Sequence, residues 1–63
     1  MPVVSVKMIK GRSVEQKRKM AKAITDALVS TVDVKPEWVW VLIEELDKEN
    51  WAFAGELYSD KQK

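Results

Sequence analysis

The 63-residue chain has no cysteine and no histidine, two glycines, two prolines, and one residue each of phenylalanine and tyrosine. Without cysteine there is no disulfide to hold a small domain together and no thiol nucleophile. Without histidine as well, nearly all zinc chemistry and the histidine-activated serine are excluded. Gly11 and Gly55 stand alone, so no glycine-rich loop can cradle a phosphate. No apolar run approaches the roughly eighteen residues of a membrane span, and the first residues lack the basic-then-apolar layout of a secretory signal. Charge of one sign is lacking too: eleven basic against ten acidic residues leave a net +1, with no basic footprint for nucleic acid. A soluble cytoplasmic protein is expected, with neither membrane nor nucleic acid as a partner.

What is present must then be stable without staples. One domain spanning residues 1–63 is expected, and a chain this size buries only about 60% of the surface its unfolded form exposes. With disulfides and metal gone, oligomerisation is the remedy left. Three tryptophans in so short a chain fit that reading, because large aromatics concentrate in cores and interfaces.

From Val3 to Ile9 apolar residues alternate, with Val4, Val6 and Met8 on one side, which predicts a β-strand. Ser13 followed three residues later by Gln16 has the form of a capping box, and Glu15 suits the positive end of a helix dipole. Met20, Ala23, Ile24, Ala27, Leu28, Thr31 and Val32 then recur at helical spacing, predicting a helix over Val14–Val32. Met8 and Met20 are read as core filling, and Lys17, Arg18, Lys19 and Lys22 as a solvated helix face. Asp33 to Pro36 closes the helix, since the residue before proline is pushed out of the helical region. "PEWVWVLIEEL" is apolar on both faces from Trp38 to Ile43, the pattern of a covered central strand. Glu44 and Glu45 fall on opposite faces and cannot form a carboxylate pair.

Strand, long helix, strand defines an α/β fold, a small β-α-β unit with parallel strands. One helix covers one sheet face, so the other must meet another subunit. "NWAFAGELY" reads as a short strand or hairpin reaching onto a neighbour, and the last few residues are expected to be loosely held.

Candidate general bases are few. Arginine suits a two-point grip on carboxylate, and only Arg12 and Arg18 exist. Ser13 is a cap, with no base to activate it. The opening Met1-Pro2, the "GRS" of Gly11 to Ser13 with the "EQK" of Glu15 to Lys17, the amphipathic helix, the "IEE" of Ile43 to Glu45 and the "NWA" of Asn50 to Ala52 with Gly55 carry a resemblance. In this order and length the chain resembles the 4-oxalocrotonate tautomerase family, the 2-hydroxymuconate tautomerases, over nearly its whole length.

The resemblance implies an isomerase in which Met1 is cleaved and Pro2, as the amino-terminal residue, is the general base. Pro2 would move a proton between oxygen and carbon of a small unsaturated 2-hydroxy acid and its 2-oxo form, with no cofactor or metal. The chemistry of a free proline suits such a role, since an α-amino group titrates near 8 and burial lowers that value by disfavouring the charged form. Arg12 matches the residue that holds a substrate carboxylate, often from a neighbouring subunit, and Trp51 a pocket-wall aromatic. The implied assembly is a homo-oligomer, dimers with a four-stranded sheet grouped as a hexamer. The family's second arginine, in the second strand, is replaced by Trp40, which offers one indole N–H and no charge. A weaker tautomerase is expected, or one acting on a monoacid or an aromatic enol such as phenylpyruvate, with Trp40 beside the substrate. Arg18 or Lys35 are the cations that could substitute. Two other readings fit the same residues: a relative using the proline for hydration, dehalogenation or decarboxylation, and a non-catalytic assembly subunit.

Overall fold

The computed structural model describes residues 1–61, so the expected loose end at residues 62 and 63 lies outside the described residues. Strand β1 (Val3–Ile9) leads into helix α1 (Val14–Val32), and strand β2 (Trp40–Leu46) returns parallel to β1. A hairpin of β3 (Ala52–Phe53) and β4 (Glu56–Leu57) follows, then a single-turn helix α2 (Tyr58–Lys61). The expected β-α-β unit and C-terminal hairpin are both present.

The boundaries of α1 have local causes. Ser13 Oγ accepts from the Gln16 backbone N–H at 3.1 Å, and the Ser13 N–H donates to Gln16 Oε1 at 2.9 Å. This reciprocal box satisfies two of the donors a helix start leaves orphaned. At the other end Asp33 takes the left-handed conformation, φ 57° and ψ 53°, and breaks the helix.

The helix is rotated from the face expected. Lys17, Met20, Ala21, Ile24, Thr25, Leu28 and Val29 are half-buried, whereas Ala23, Ala27, Thr31 and Val32 are exposed. Met20, Ile24 and Leu28 form the spine, with the stripe Ala23-Ala27-Thr31 about 60° to one side and Ala21-Thr25-Val29 about 100° to the other. The stripe with the larger side chains turns toward the sheet, where burial gains more. Thr25 tolerates this because its hydroxyl donates to the Ala21 carbonyl at 2.8 Å.

β2 starts later than expected. Pro36–Trp38 form one 3₁₀ turn with Pro36 at its first position, where a missing N–H costs nothing. Trp38 is therefore outside the sheet, and Lys35 Nζ stands 5.4 Å from its ring centroid. The register pairs Val3 with Trp40 and Ile9 with Leu46.

α1 covers one face of this two-stranded sheet, toward which Val4, Val6, Val41 and Ile43 point, all half-buried. The opposite face is open: Val3, Trp40 and Leu42 are 61%, 56% and 52% exposed. Among the described residues no side chain of the single chain is fully buried. A two-layer slab of this size leaves its apolar residues half-wet, as the surface-to-volume argument requires.

Candidate active site

The parallel register decides which candidate residues meet. Pro2 precedes β1, and its carbonyl accepts from the Trp40 N–H at 3.0 Å. Pro2 and Trp40 therefore share one end of the sheet. Pro2 is half-buried and Trp40 lies on the open face. Arg12 follows β1 and Trp51 follows β2, so these two share the other end. Seven strand residues separate the pairs, which at about 3.3 Å each sets Pro2 roughly 20 Å from Arg12. Within one chain the proline and the arginine are not brought together.

In the described chain Met1 precedes Pro2, so the proline nitrogen is a tertiary amide without basicity. It becomes a secondary amine on loss of Met1, which is 79% exposed and open to an aminopeptidase.

At the Arg12 end two cavities adjoin, sharing Met8 and Arg12 in their walls. One, of about 250 Å³, lies under the start of α1 against Gln16, Lys17 and Met20. The other, of about 510 Å³, is walled by Arg12, Lys48, Trp51 and Tyr58, within the range of about 300–1,000 Å³ usual for small-molecule sites. Met8 and Met20, expected to fill a core, thus line these spaces instead. The hairpin is tied to this end by the Tyr58 N–H, which donates to the Trp51 carbonyl at 2.7 Å. The rings of Phe53 and Tyr58 sit 6.0 Å apart.

Four cations surround the cavities, and their partners differ. Lys17 forms an ion pair with Glu45, both half-buried, so it is not the solvated helix residue expected. Lys10 pairs with Asp47 at 3.0 Å, and the hydrogen bond and charge of Asp47 hold its ammonium above the ordinary lysine range. Arg12 makes no hydrogen bond or ion pair among the described residues, and Lys48 has only the Tyr58 ring, 6.0 Å from its Nζ. Arg18 is exposed and pairs with Glu15 at 3.4 Å within the first turns of α1. Within one chain it is therefore not beside Trp40.

Lys48 and Tyr58 were not singled out from the sequence. No spacing signals them, because the turn at Lys48–Asn50 meets Arg12 only through the pairing of β1 with β2. Among the described residues no three metal-ligating side chains cluster to hold an ion, and no helix is long and apolar enough to cross a membrane.

Comparison with known proteins agrees with this architecture. Residues 2–61 match the model of the tautomerase enzyme family. The chain is 42% identical over 62 residues to the 2-hydroxymuconate tautomerase of Bacillus subtilis, covering 98% of this chain and all of that protein. It is 41% identical over 61 residues to a probable tautomerase of Halalkalibacterium halodurans, covering 97% of this chain and all of that one. A 4-oxalocrotonate tautomerase isozyme of Methylibium petroleiphilum superposes with a TM-score of 0.93 at 43% identity, covering 97% of this chain and 95% of that one. A heterohexameric 4-oxalocrotonate tautomerase of Chloroflexus aurantiacus gives 0.90 at 30% identity, covering 95% and 97%. The chain belongs to the tautomerase family and is an isomerase.

Proposed function

We propose that this tautomerase interconverts the enol and keto forms of a small unsaturated 2-hydroxy/2-oxo acid in a site shared between copies of the chain. After loss of Met1, the Pro2 nitrogen accepts the proton of the enol hydroxyl, and the same proton is delivered to carbon at the far end of the conjugated system. One O–H bond breaks, one C–H bond forms, and the base is regenerated. A secondary amine with a value near neutrality is poised for both directions of transfer. Arg12 of a neighbouring copy holds the substrate carboxylate, and Trp51 excludes water from the apolar part.

The observation that carries this reading is Arg12, an unpaired guanidinium on a cavity walled by Trp51. A small acid cannot bridge the roughly 20 Å to Pro2 of the same chain, so the anchor must come from a second copy. Among the described residues no strand pairs with either outer edge of the two-stranded sheet, and a two-fold antiparallel pairing brings the Pro2 end of one copy beside the Arg12 end of another. The open face of Val3, Trp40 and Leu42 requires further contact, which a hexamer of three dimers supplies. The whole chain, residues 1–63, is taken as one such domain acting in the cytoplasm. Trp40, beside Pro2, contributes an aromatic wall and one N–H but no positive charge where the enolate develops. Turnover is therefore slower than a cation at that position would give, and a monoacid or aromatic enol is the better substrate there.

The mass of the purified chain shows whether Met1 is gone. Ultraviolet assays of 2-hydroxymuconate and phenylenolpyruvate ketonisation, with Pro2→Ala beside the wild type, test the chemistry. Exchanging the ring-held secondary amine for the primary amine of alanine should slow turnover about 10²-fold. Equal rates for the two proteins would overturn the reading.

A further inference from the structure

Of the four cations around the paired cavities, two already have carboxylates, Lys17 with Glu45 and Lys10 with Asp47. The remaining two, Arg12 and Lys48, line the same cavity of about 510 Å³. Lys48 is held there by its contact with the Tyr58 ring, which lines that cavity too. No acidic side chain lines it among the described residues. Lys10 lines it as well, paired with Asp47, so the space has two uncommitted positive charges beside that ion pair and an indole wall from Trp51. We propose that Lys48 is a second substrate-binding residue, which joins Arg12 in holding the carboxylate end of the enol acid.

The two cations have complementary geometry. A guanidinium fork meets both oxygens of a carboxylate in its own plane, whereas an ammonium is a point charge that can approach the same group from outside that plane. The carboxylate can therefore accept from both without competition for one lone pair. The Tyr58 ring keeps the ammonium at the cavity wall through its negative face. Lys10 lines the same cavity but its charge is already met by Asp47, which leaves Arg12 and Lys48 as the cations there with no carboxylate of their own.

The proposal rests on the reading of Arg12 as anchor, but its test does not depend on turnover. Sorbate, a six-carbon conjugated monocarboxylate, and its neutral amide sorbamide differ only in the charged end. Calorimetric titration of the assembled protein with each gives the preference for charge. The wild type should prefer sorbate. Lys48→Gln should shrink that preference about tenfold, the range for a hydrogen bond to a charged group. Lys48→Arg should restore it, and Lys22→Gln, which removes the same charge from the outer helix face, should leave it intact. Sorbate affinity of Lys48→Gln should also fall less steeply with added salt, because one charge fewer is screened. An unchanged preference in Lys48→Gln, no preference in the wild type, or failure of Lys48→Arg to restore it would overturn the proposal. Arg12→Gln separates the two ideas. If it weakens sorbate binding while Lys48→Gln does not, the Arg12 reading stands and the role of Lys48 falls.

Discussion

The two ends of the sheet are chemically unlike. Around Pro2 the neighbours are Val3 and Trp40, with a single backbone hydrogen bond from Trp40 to the Pro2 carbonyl. Around Arg12 stand three lysines, two bound carboxylates and the larger cavity. In the proposed site the first end would shelter an amine kept neutral to accept a proton, and the second would hold an anion. Desolvation favours the uncharged amine, while the same apolar surroundings would disfavour a lone carboxylate. On the proposed reading, separating the two roles along one strand lets each environment be built without spoiling the other. The cost is that a single chain holds only halves of the proposed site.

The largest expected effect tests that division directly. Pro2→Ala and Arg12→Ala should each lose about a hundredfold or more in kcat/KM. When the two inactive proteins are unfolded together and reassembled, a site that takes its proline from one copy and its arginine from another should reappear. Random pairing leaves about a quarter of such sites with both residues intact. Recovered activity in the mixture, absent from either variant reassembled alone, is the expected assay result. A mixture as inactive as its parents would show that the two ends do not cooperate across copies.

Next is the open face that joins the two ends. Leu42 sits at its middle, 52% exposed in the single chain. Leu42→Glu places an unpaired carboxylate there, and burying such a charge costs several kcal/mol. Light scattering should show the assembly reduced to smaller species, with activity falling alongside. An unaltered mass would place the oligomer contacts elsewhere. A smaller change of opposite sign is expected at the Pro2 end. Trp40→Arg supplies a cation where the enolate charge develops and should raise kcat for 2-hydroxymuconate about tenfold to a hundredfold. If kcat stays flat, the lack of charge beside Pro2 is not what limits the rate.

The elements at both ends were legible in the sequence to different depths. β1 and α1 begin and end where alternation and the Ser13–Gln16 box place them, because those signals are local and complete in themselves. The start of β2 was not legible, since Trp38 and Val39 continue the apolar run while Pro36 has already set a 3₁₀ turn. Which flank of the α1 spine turned inward is set by the sheet face it covers, which the helical period alone does not fix. The inward turn of Lys17 followed from Glu45, twenty-eight residues away. Lys48 beside Arg12 is a long-range consequence of parallel pairing, for which no spacing rule exists. The roles proposed for Pro2 and Arg12 rest only on a family pattern of short motifs.

The smallest expected effect lies in the hairpin that carries Trp51 toward Arg12. Ala54 and Gly55 form its two-residue loop between the paired Phe53 and Glu56, with φ values of 53° and 78°. Positive φ at both central residues is the turn whose twist matches antiparallel strands, and it is ordinarily built with Asn-Gly or Gly-Gly. Alanine there puts its Cβ too near the following carbonyl, at about 1 kcal/mol. Ala54→Gly removes that strain but gives the unfolded chain more freedom, which offsets part of the gain. The net should be about 0.5 kcal/mol of added stability, seen as a modest rise in melting temperature at fixed protein concentration. Ala54→Val should move the other way, because a branched Cβ tolerates positive φ least. Since Ala54 is exposed, both variants should leave Pro2→Ala complementation unchanged. A shift in that readout instead would mean that the turn positions Trp51 for the substrate as well as closing the hairpin.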